Sequence, residues 1–255
     1  MKKIIFLLFF ITLLFGCFPN SFIPQTQNTP LFTDKEQLEL NFVHTHRSFE
    51  HQIAYSPVKN FAAMSNFSLA TTSTVSEFGI GGYKQIGKAL VVEMFGGYAY
   101  CENHFSDTMR IENSFFEYYP HAYSSQIYAN RYFLQPVIGF RFTDRINLSL
   151  SAKFCYWDYE RYEYYGETVN FGQTPLVTYN DSIVKPHTTN STIEPTITLK
   201  VGGKYGKFMF QSGMYYVINE NPRFQTPYRH FPYFIRIGYN MTIDFNSFKN
   251  NKSLN

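Results

Sequence analysis

The chain has 255 residues and a formal net charge of +3, with 20% aromatic and only 16% charged residues. That length fits one large all-β domain. A soluble domain carries roughly 25% charge, while a mean hydropathy of -0.25 excludes a bundle of membrane helices. An aromatic, charge-poor and only mildly apolar chain suits a β-barrel in which alternate residues face lipid.

Met1-Lys2-Lys3 is a positive start, and Ile4 to Phe15 is an apolar run of 12 residues. A bilayer span needs about 20 such residues, so the run is expected to be a signal-peptide core, with residues 1–16 removed. Leu14-Phe15-Gly16-Cys17 resembles a bacterial lipobox, which makes Cys17 the expected lipid-bearing first residue, with Phe15 bulkier than usual at its position. Ordinary secretory cleavage near Cys17 is the alternative. Loss of Lys2 and Lys3 lowers the net charge to +1. No basic patch remains to bind nucleic acid.

Residues 17–35 hold Pro19, Pro24 and Pro30 among polar residues and read as an extended, coreless periplasmic tether. From Gln37 the pattern alternates with period two. Ten strands are expected, at 37–45, 50–57, 61–71, 76–86, 89–102, 126–142, 146–158, 191–202, 207–218 and 233–245. The last is the clearest: Tyr233, Ile235, Ile237, Tyr239, Met241, Ile243 and Phe245 share one face. Short joints such as Gly87-Lys88 and Thr143-Asp144-Arg145 alternate with longer ones, the longest being 103–125 and 159–190. This two-sided asymmetry predicts a transmembrane antiparallel up-and-down β-barrel over residues 36–245, with a tail at 246–255 and both termini on the periplasmic, short-turn side. A soluble sandwich is the competing architecture. Tyr98, Tyr100, Tyr128, Tyr132 and Phe245 are placed to form interface girdles.

The alternation assigns Glu39, Glu77, Glu93, Glu194 and Asp244 to the lumen, opposite Arg131, Arg141, Lys153, Lys200 and Arg236. Five charges of each sign imply a salt-bridged, largely closed lumen, centred on Glu93, Lys153, Glu194 and Arg236 with Glu77 and Arg131 beside them. A small pore is the alternative. The joints 103–125 and 159–190 carry Phe115, Phe116, Tyr118, Tyr119, Tyr162, Tyr164 and Tyr165. Aromatic loops of this kind suit a glycan or a protein partner. His44, His46 and His51 surround the first hairpin, but neither a metal site nor a cofactor is expected. His44, Ser48 and Glu50 are the residues a lipid- or peptide-acting enzyme would use at the rim, and an enzyme is the least favoured reading. Cys101 and Cys155 fall on non-adjacent strands, so no disulfide is expected.

The stretch Arg236-Ile-Gly238-Tyr-Asn-Met241-Thr-Ile243-Asp-Phe245 resembles the signal that barrel assembly machinery reads on a final strand, although a tail follows it here. Asn28-Thr-Pro30-Leu-Phe-Thr-Asp-Lys-Glu-Gln-Leu-Glu-Leu40, Ala54-Tyr55-Ser56-Pro57 and Phe95-Gly-Gly-Tyr98 are similar in character to Bacteroidetes outer-membrane β-barrel lipoproteins. The resemblance implies outer-membrane lipid as surroundings and assembly machinery as a partner in biogenesis. That group brings no assigned activity with it.

Overall fold

The structure, a computed structural model, describes residues 25–45, 48–112, 118–171, 174–218 and 233–246, with side chains for all of these except 105–125, 159 and 161–188. Eleven strands follow in chain order: β1 (Gln37–His44), β2 (Ser48–Val58), β3 (Phe61–Ala70), β4 (Ser73–Ile86), β5 (Leu90–Glu112), β6 (Tyr118–Thr143), β7 (Ile146–Phe171), β8 (Thr174–Gly202), β9 (Gly206–Met214), β10 (Tyr216–Val217) and β11 (Tyr233–Asp244). β10 continues β9 beyond Tyr215 and still pairs with β8, so the wall has ten staves. All neighbours are antiparallel, and β1 pairs with both β2 and β11, which closes the barrel.

The break at Tyr215 has a covalent cause. The β8–β9 ladder ends at Thr196↔Gly213 and resumes at Ile193↔Tyr216, so the gap brackets Pro195. Proline has no N–H to donate to a ladder. Pro136 leaves a similar gap between β6 and β7, where pairing skips from Leu134↔Phe154 to Val137↔Ser151.

Tracing the register round the wall fixes the barrel's shape. From Val43 one direction passes Glu50, Ser68, Val75, Cys101, Ala129 and Tyr159 to Thr188. The other passes Gly238 and Met209 to Lys200, a stagger of 12 residues on β8. With ten strands, that stagger implies a tilt of about 40° and a backbone radius of roughly 10 Å. Such a lumen is narrow, with room for inward side chains and one extended segment.

The faces separate as the period-two pattern requires. Phe78, Ile80, Leu134, Ile138, Leu150, Ile197, Phe208 and Ile237 lie on the outer surface with much of their area uncovered, as do Tyr98, Tyr100 and Tyr132. The buried face is largely polar: Glu39, Asn41, Gln52, Asn66, Gln135, Ser149, Thr198, Gln211 and Asn240 are all covered. A soluble sandwich buries its apolar face, so this inverted arrangement excludes it. No helix among the described residues is long and apolar enough to cross a membrane.

Two expectations need correction. The described residues of 103–125 and 159–190 are strands and not loops. β5 and β6 stay paired as far as Glu112↔Tyr118, and β7 and β8 as far as Phe171↔Thr174. Four neighbouring staves thus continue as paired hairpins well past the ends of β1 to β3. Tyrosine and β-branched residues favour strands, so pairing continues into stretches that the alternation alone had assigned to joints. The second correction concerns the tether. Residues 25–33 do not run outside the barrel but lie inside it.

Candidate functional site: a chain segment inside the barrel

Gln25, Thr26, Gln27, Asn28, Thr29, Leu31 and Phe32 are all buried. Their path is marked along β6. Thr33 accepts from Arg141 (3.1 Å), Leu31 covers Gly139, the Asn28 carbonyl accepts from Gln135 (2.7 Å), and Gln25 accepts from Arg131. The segment therefore runs lengthwise, with Thr33 near the short-turn rim and Gln25 deep in the lumen.

Wall backbone groups are committed to the barrel's own ladders, so this segment cannot pair as an eleventh stave. Side-chain amides take over, because each offers both a donor and an acceptor. Gln211 accepts from the Gln27 amide (2.8 Å) and donates to the Gln27 carbonyl (3.0 Å), imitating a strand partner. Gln52 donates to the Thr26 carbonyl (2.6 Å). The Gln27 side chain donates to the Glu194 carbonyl (2.5 Å) and accepts from Ser151 (2.6 Å).

Ion pairs complete the lining at three levels. Glu77 binds Lys153 through both oxygens (2.8 and 3.0 Å) and Arg131 (2.5 Å), with Asn66 donating at 2.6 Å. Arg131 also holds Gln25 and lies 4.9 Å from the centre of the Trp157 ring. Glu50 pairs with Arg236 and accepts from the Thr26 amide (2.9 Å), while Arg236 donates to the Thr26 hydroxyl (2.9 Å). Lower down, Lys200 joins Glu39 (2.5 Å) to the Thr29 carbonyl (2.8 Å). Glu93 accepts from the Phe32 amide (3.1 Å). Every level thus ties a wall pair or carboxylate to the inner segment, through its backbone at Thr26, Thr29 and Phe32 and through the Gln25 side chain at Arg131. Charges buried this way are satisfied as sets, and breaking one set leaves an uncompensated ion.

Shape complementarity fixes the lower end. A side chain on Gly139 would occupy the space that Leu31 fills. Leu31 adopts a left-handed backbone (φ 56°) directly after Pro30. That conformation is unusual for a branched residue, and it turns the side chain onto Gly139. Phe32 packs against Tyr83 with ring centres 5.7 Å apart, and the Tyr83 hydroxyl meets Ser56 at 2.7 Å.

The sequence-selected residues are distributed as follows. Glu77, Glu93, Arg131, Lys153, Glu194 and Arg236 all face the lumen and are buried. Glu93, Lys153, Glu194 and Arg236 do not form one central cluster: Lys153 pairs with Glu77, Arg236 with Glu50, and Glu93 caps the threaded backbone. Glu194 has no ion pair among the described residues, and its Oε1 lies 4.0 Å from Cys155 Sγ. Asp244 and Arg141 sit half-buried at the short-turn rim. Cys101 and Cys155 are buried, free thiols on β5 and β7. Phe115 and Phe116 lie outside the described residues. Tyr118, Tyr119, Tyr162, Tyr164 and Tyr165 fall in the paired hairpins, where the backbone alone is described. Cys17 and His46 also lie outside the described residues.

The rim constellation His44, Ser48 and Glu50 is split by the wall. Ser48 and Glu50 are buried inward, whereas His44 is on the outer face, where His51 packs between Phe42 and Phe49 (ring centres 5.2 and 4.4 Å). Glu50 was legible as a lumen residue from its alternation with Phe49 and His51. The segment 25–33 also carried a signal: no charged residue occurs between Lys3 and Asp34. Amides and hydroxyls enter a crowded interior with far less desolvation than ions.

No family profile and no curated protein sequence matches this chain. Among solved structures, the CymD monoaromatic hydrocarbon channel shows a coarse likeness, with a TM-score of 0.28 and 7% identity, over 82% of this chain and 89% of that one.

Proposed function

We propose that this protein is an outer-membrane β-barrel closed by its own N-terminal segment, and that it serves as a rigid platform that presents the β5–β6 and β7–β8 hairpins to a partner. The closure is the observation that carries this reading. Residues 25–33 fill a lumen of roughly 10 Å backbone radius and are bonded to the wall at each level. An ion would have to displace those bonds to pass. The outward apolar surface and the tyrosines on it support a bilayer setting. Paired hairpins rising from four adjacent staves support a binding role, and the aromatic residues of 103–125 and 159–190 suit a glycan or protein ligand. Acylation of Cys17 would add an anchor.

The test is conductance in planar bilayers. The intact chain should give no steady current, and a chain with residues 25–33 replaced by Gly and Ser should give discrete openings. Steady current from the intact chain would overturn the platform reading. A second reading, a gated passage, is favoured by one feature: amides, hydroxyls and ion pairs line much of the wall behind the segment, beside an apolar patch that includes Phe95 and Phe133, so part of the lumen beneath it is lined for water. It predicts brief openings of the intact chain under a ligand or a voltage step.

A further inference from the structure

We infer that the closed wall is a peptide-binding site, occupied here by residues 25–33, and that an extended, uncharged peptide of the same chemistry takes their place when another molecule supplies it. The inference rests on the closure proposed above and adds a ligand class to it. Wall side chains bind the backbone of the segment along its length. Glu50 accepts from the Thr26 N–H (2.9 Å) and Gln52 donates to the Thr26 carbonyl (2.6 Å). Gln211 serves both backbone groups of Gln27 (2.8 and 3.0 Å). Gln135 and Lys200 donate to the carbonyls of Asn28 and Thr29 (2.7 and 2.8 Å), and Glu93 accepts from the Phe32 N–H (3.1 Å). These bonds hold an extended course whatever side chains it carries. They exclude proline at positions 26, 27 and 32, where the N–H is used, and the segment's own proline is Pro30.

Selection comes from the side chains. The Gln27 side-chain nitrogen donates to the Glu194 carbonyl (2.5 Å), and its oxygen accepts from Ser151 (2.6 Å). A glutamate there has the same size but no donor, so it sets a carboxylate against a carbonyl oxygen. Asn28 Oδ1 accepts from Asn41 (3.2 Å), and the Thr26 hydroxyl accepts from Arg236 (2.9 Å). Leu31 fills the space over Gly139, and Phe32 packs against Tyr83. The ligand class is therefore an amide- and hydroxyl-rich segment followed by an aliphatic and an aromatic residue. The wall keeps its own charge pairs when the segment leaves. Glu77 retains Lys153 and Arg131, Glu39 retains Lys200, and Glu50 retains Arg236, all of them wall residues, while β1 stays closed onto β11. Residues 25–33 carry no ionic side chain, so exchanging them moves no charge through the bilayer interior.

The full chain with residues 25–33 replaced by Gly and Ser supplies the vacated site. The probe is a synthetic peptide of residues 25–33 with both ends blocked, which removes the terminal charges. In planar bilayers the openings of the replaced chain should close saturably as the peptide is added and return on washing. A Gln27→Glu peptide should need at least about tenfold more, because it loses a donor and gains a buried charge. The intact chain should take up no labelled peptide at those concentrations, because its own segment competes at an effective concentration on the order of millimolar. Openings that the peptide leaves unchanged, or that both peptides close equally, would overturn the inference. The closure reading stands in that event, since it fails only on steady current from the intact chain. If the replaced chain does not fold alone, refolding with peptide decides. A heat-modifiable folded band restored by the parent peptide and not by the Gln27→Glu peptide is expected; no rescue, or equal rescue by both, would sink the inference.

Discussion

Glu50 is the residue whose removal should reveal most about how the barrel is held shut. Its carboxylate pairs with Arg236 on β11, accepts the Thr26 amide, and is almost fully covered. Glu50→Ala leaves a buried guanidinium without its counter-ion and a backbone N–H without an acceptor. Breaking a buried pair from one side costs about 3–5 kcal/mol, which shifts an unfolding equilibrium by roughly two to nearly four orders of magnitude. Arg236→Ala should cost a similar amount. The double variant should cost clearly less than the sum, because no orphan charge remains. The assay is urea-induced unfolding of the folded barrel in vesicles, followed by tryptophan fluorescence, since Trp157 is the chain's single tryptophan and faces the lumen. The same variants in planar bilayers should show unstable closure, because Thr26 loses one wall contact in each single variant and two in the double, keeping the one to Gln52. A Glu50→Ala barrel as stable as the parent, or strictly additive losses, would refute the claim that this pair and the threaded segment form one unit.

Other outcomes follow from the same geometry. Gly139→Val should disturb closure by displacing Leu31, and adding Leu31→Ala should restore it, as read by conductance; no effect of Gly139→Val would place Leu31 elsewhere. Glu77→Gln should destabilise the barrel by about 3 kcal/mol or more, because Lys153 and Arg131 both lose their counter-charge. Cys101 and Cys155 should resist a maleimide in the folded barrel and react together on denaturation; reaction of either in the folded state would contradict their burial. Cys17→Ser should abolish incorporation of labelled fatty acid if the lipobox-like stretch is used, and retained label would show that it is not.

Most of the wall was legible because period two is a one-dimensional signal. In β11 the alternation of Tyr233, Ile235, Ile237, Tyr239 and Met241 with Arg236 and Asn240 assigns each residue to a face before any partner is known. The observed β1, β3 and β11 end within one residue of their expected limits. The hairpin extensions were not legible from bilayer thickness, because pairing between neighbours can continue wherever two strands remain in register. The split of His44 from Ser48 and Glu50 was not legible, since all three numbers are even; odd positions face inward on β1 and even ones on β2, a change of phase seen only once the two strands are paired.

The sequence by itself determined a ten-stave wall with an apolar outside and a polar inside, because those properties depend on spacing along one strand. It also supplied balanced charges for the interior. Only the tertiary structure decided what fills that interior. Closing β1 onto β11 creates a cylinder whose backbone groups are already paired, and side chains from distant staves then converge on its axis. Gln211, Gln52, Gln135 and Glu50 come from three different strands, and their joint ability to bind an extended segment exists only when the wall is closed. Residues 25–33 carry no periodicity of their own, so the same polar stretch reads as a free tether until that cylinder surrounds it.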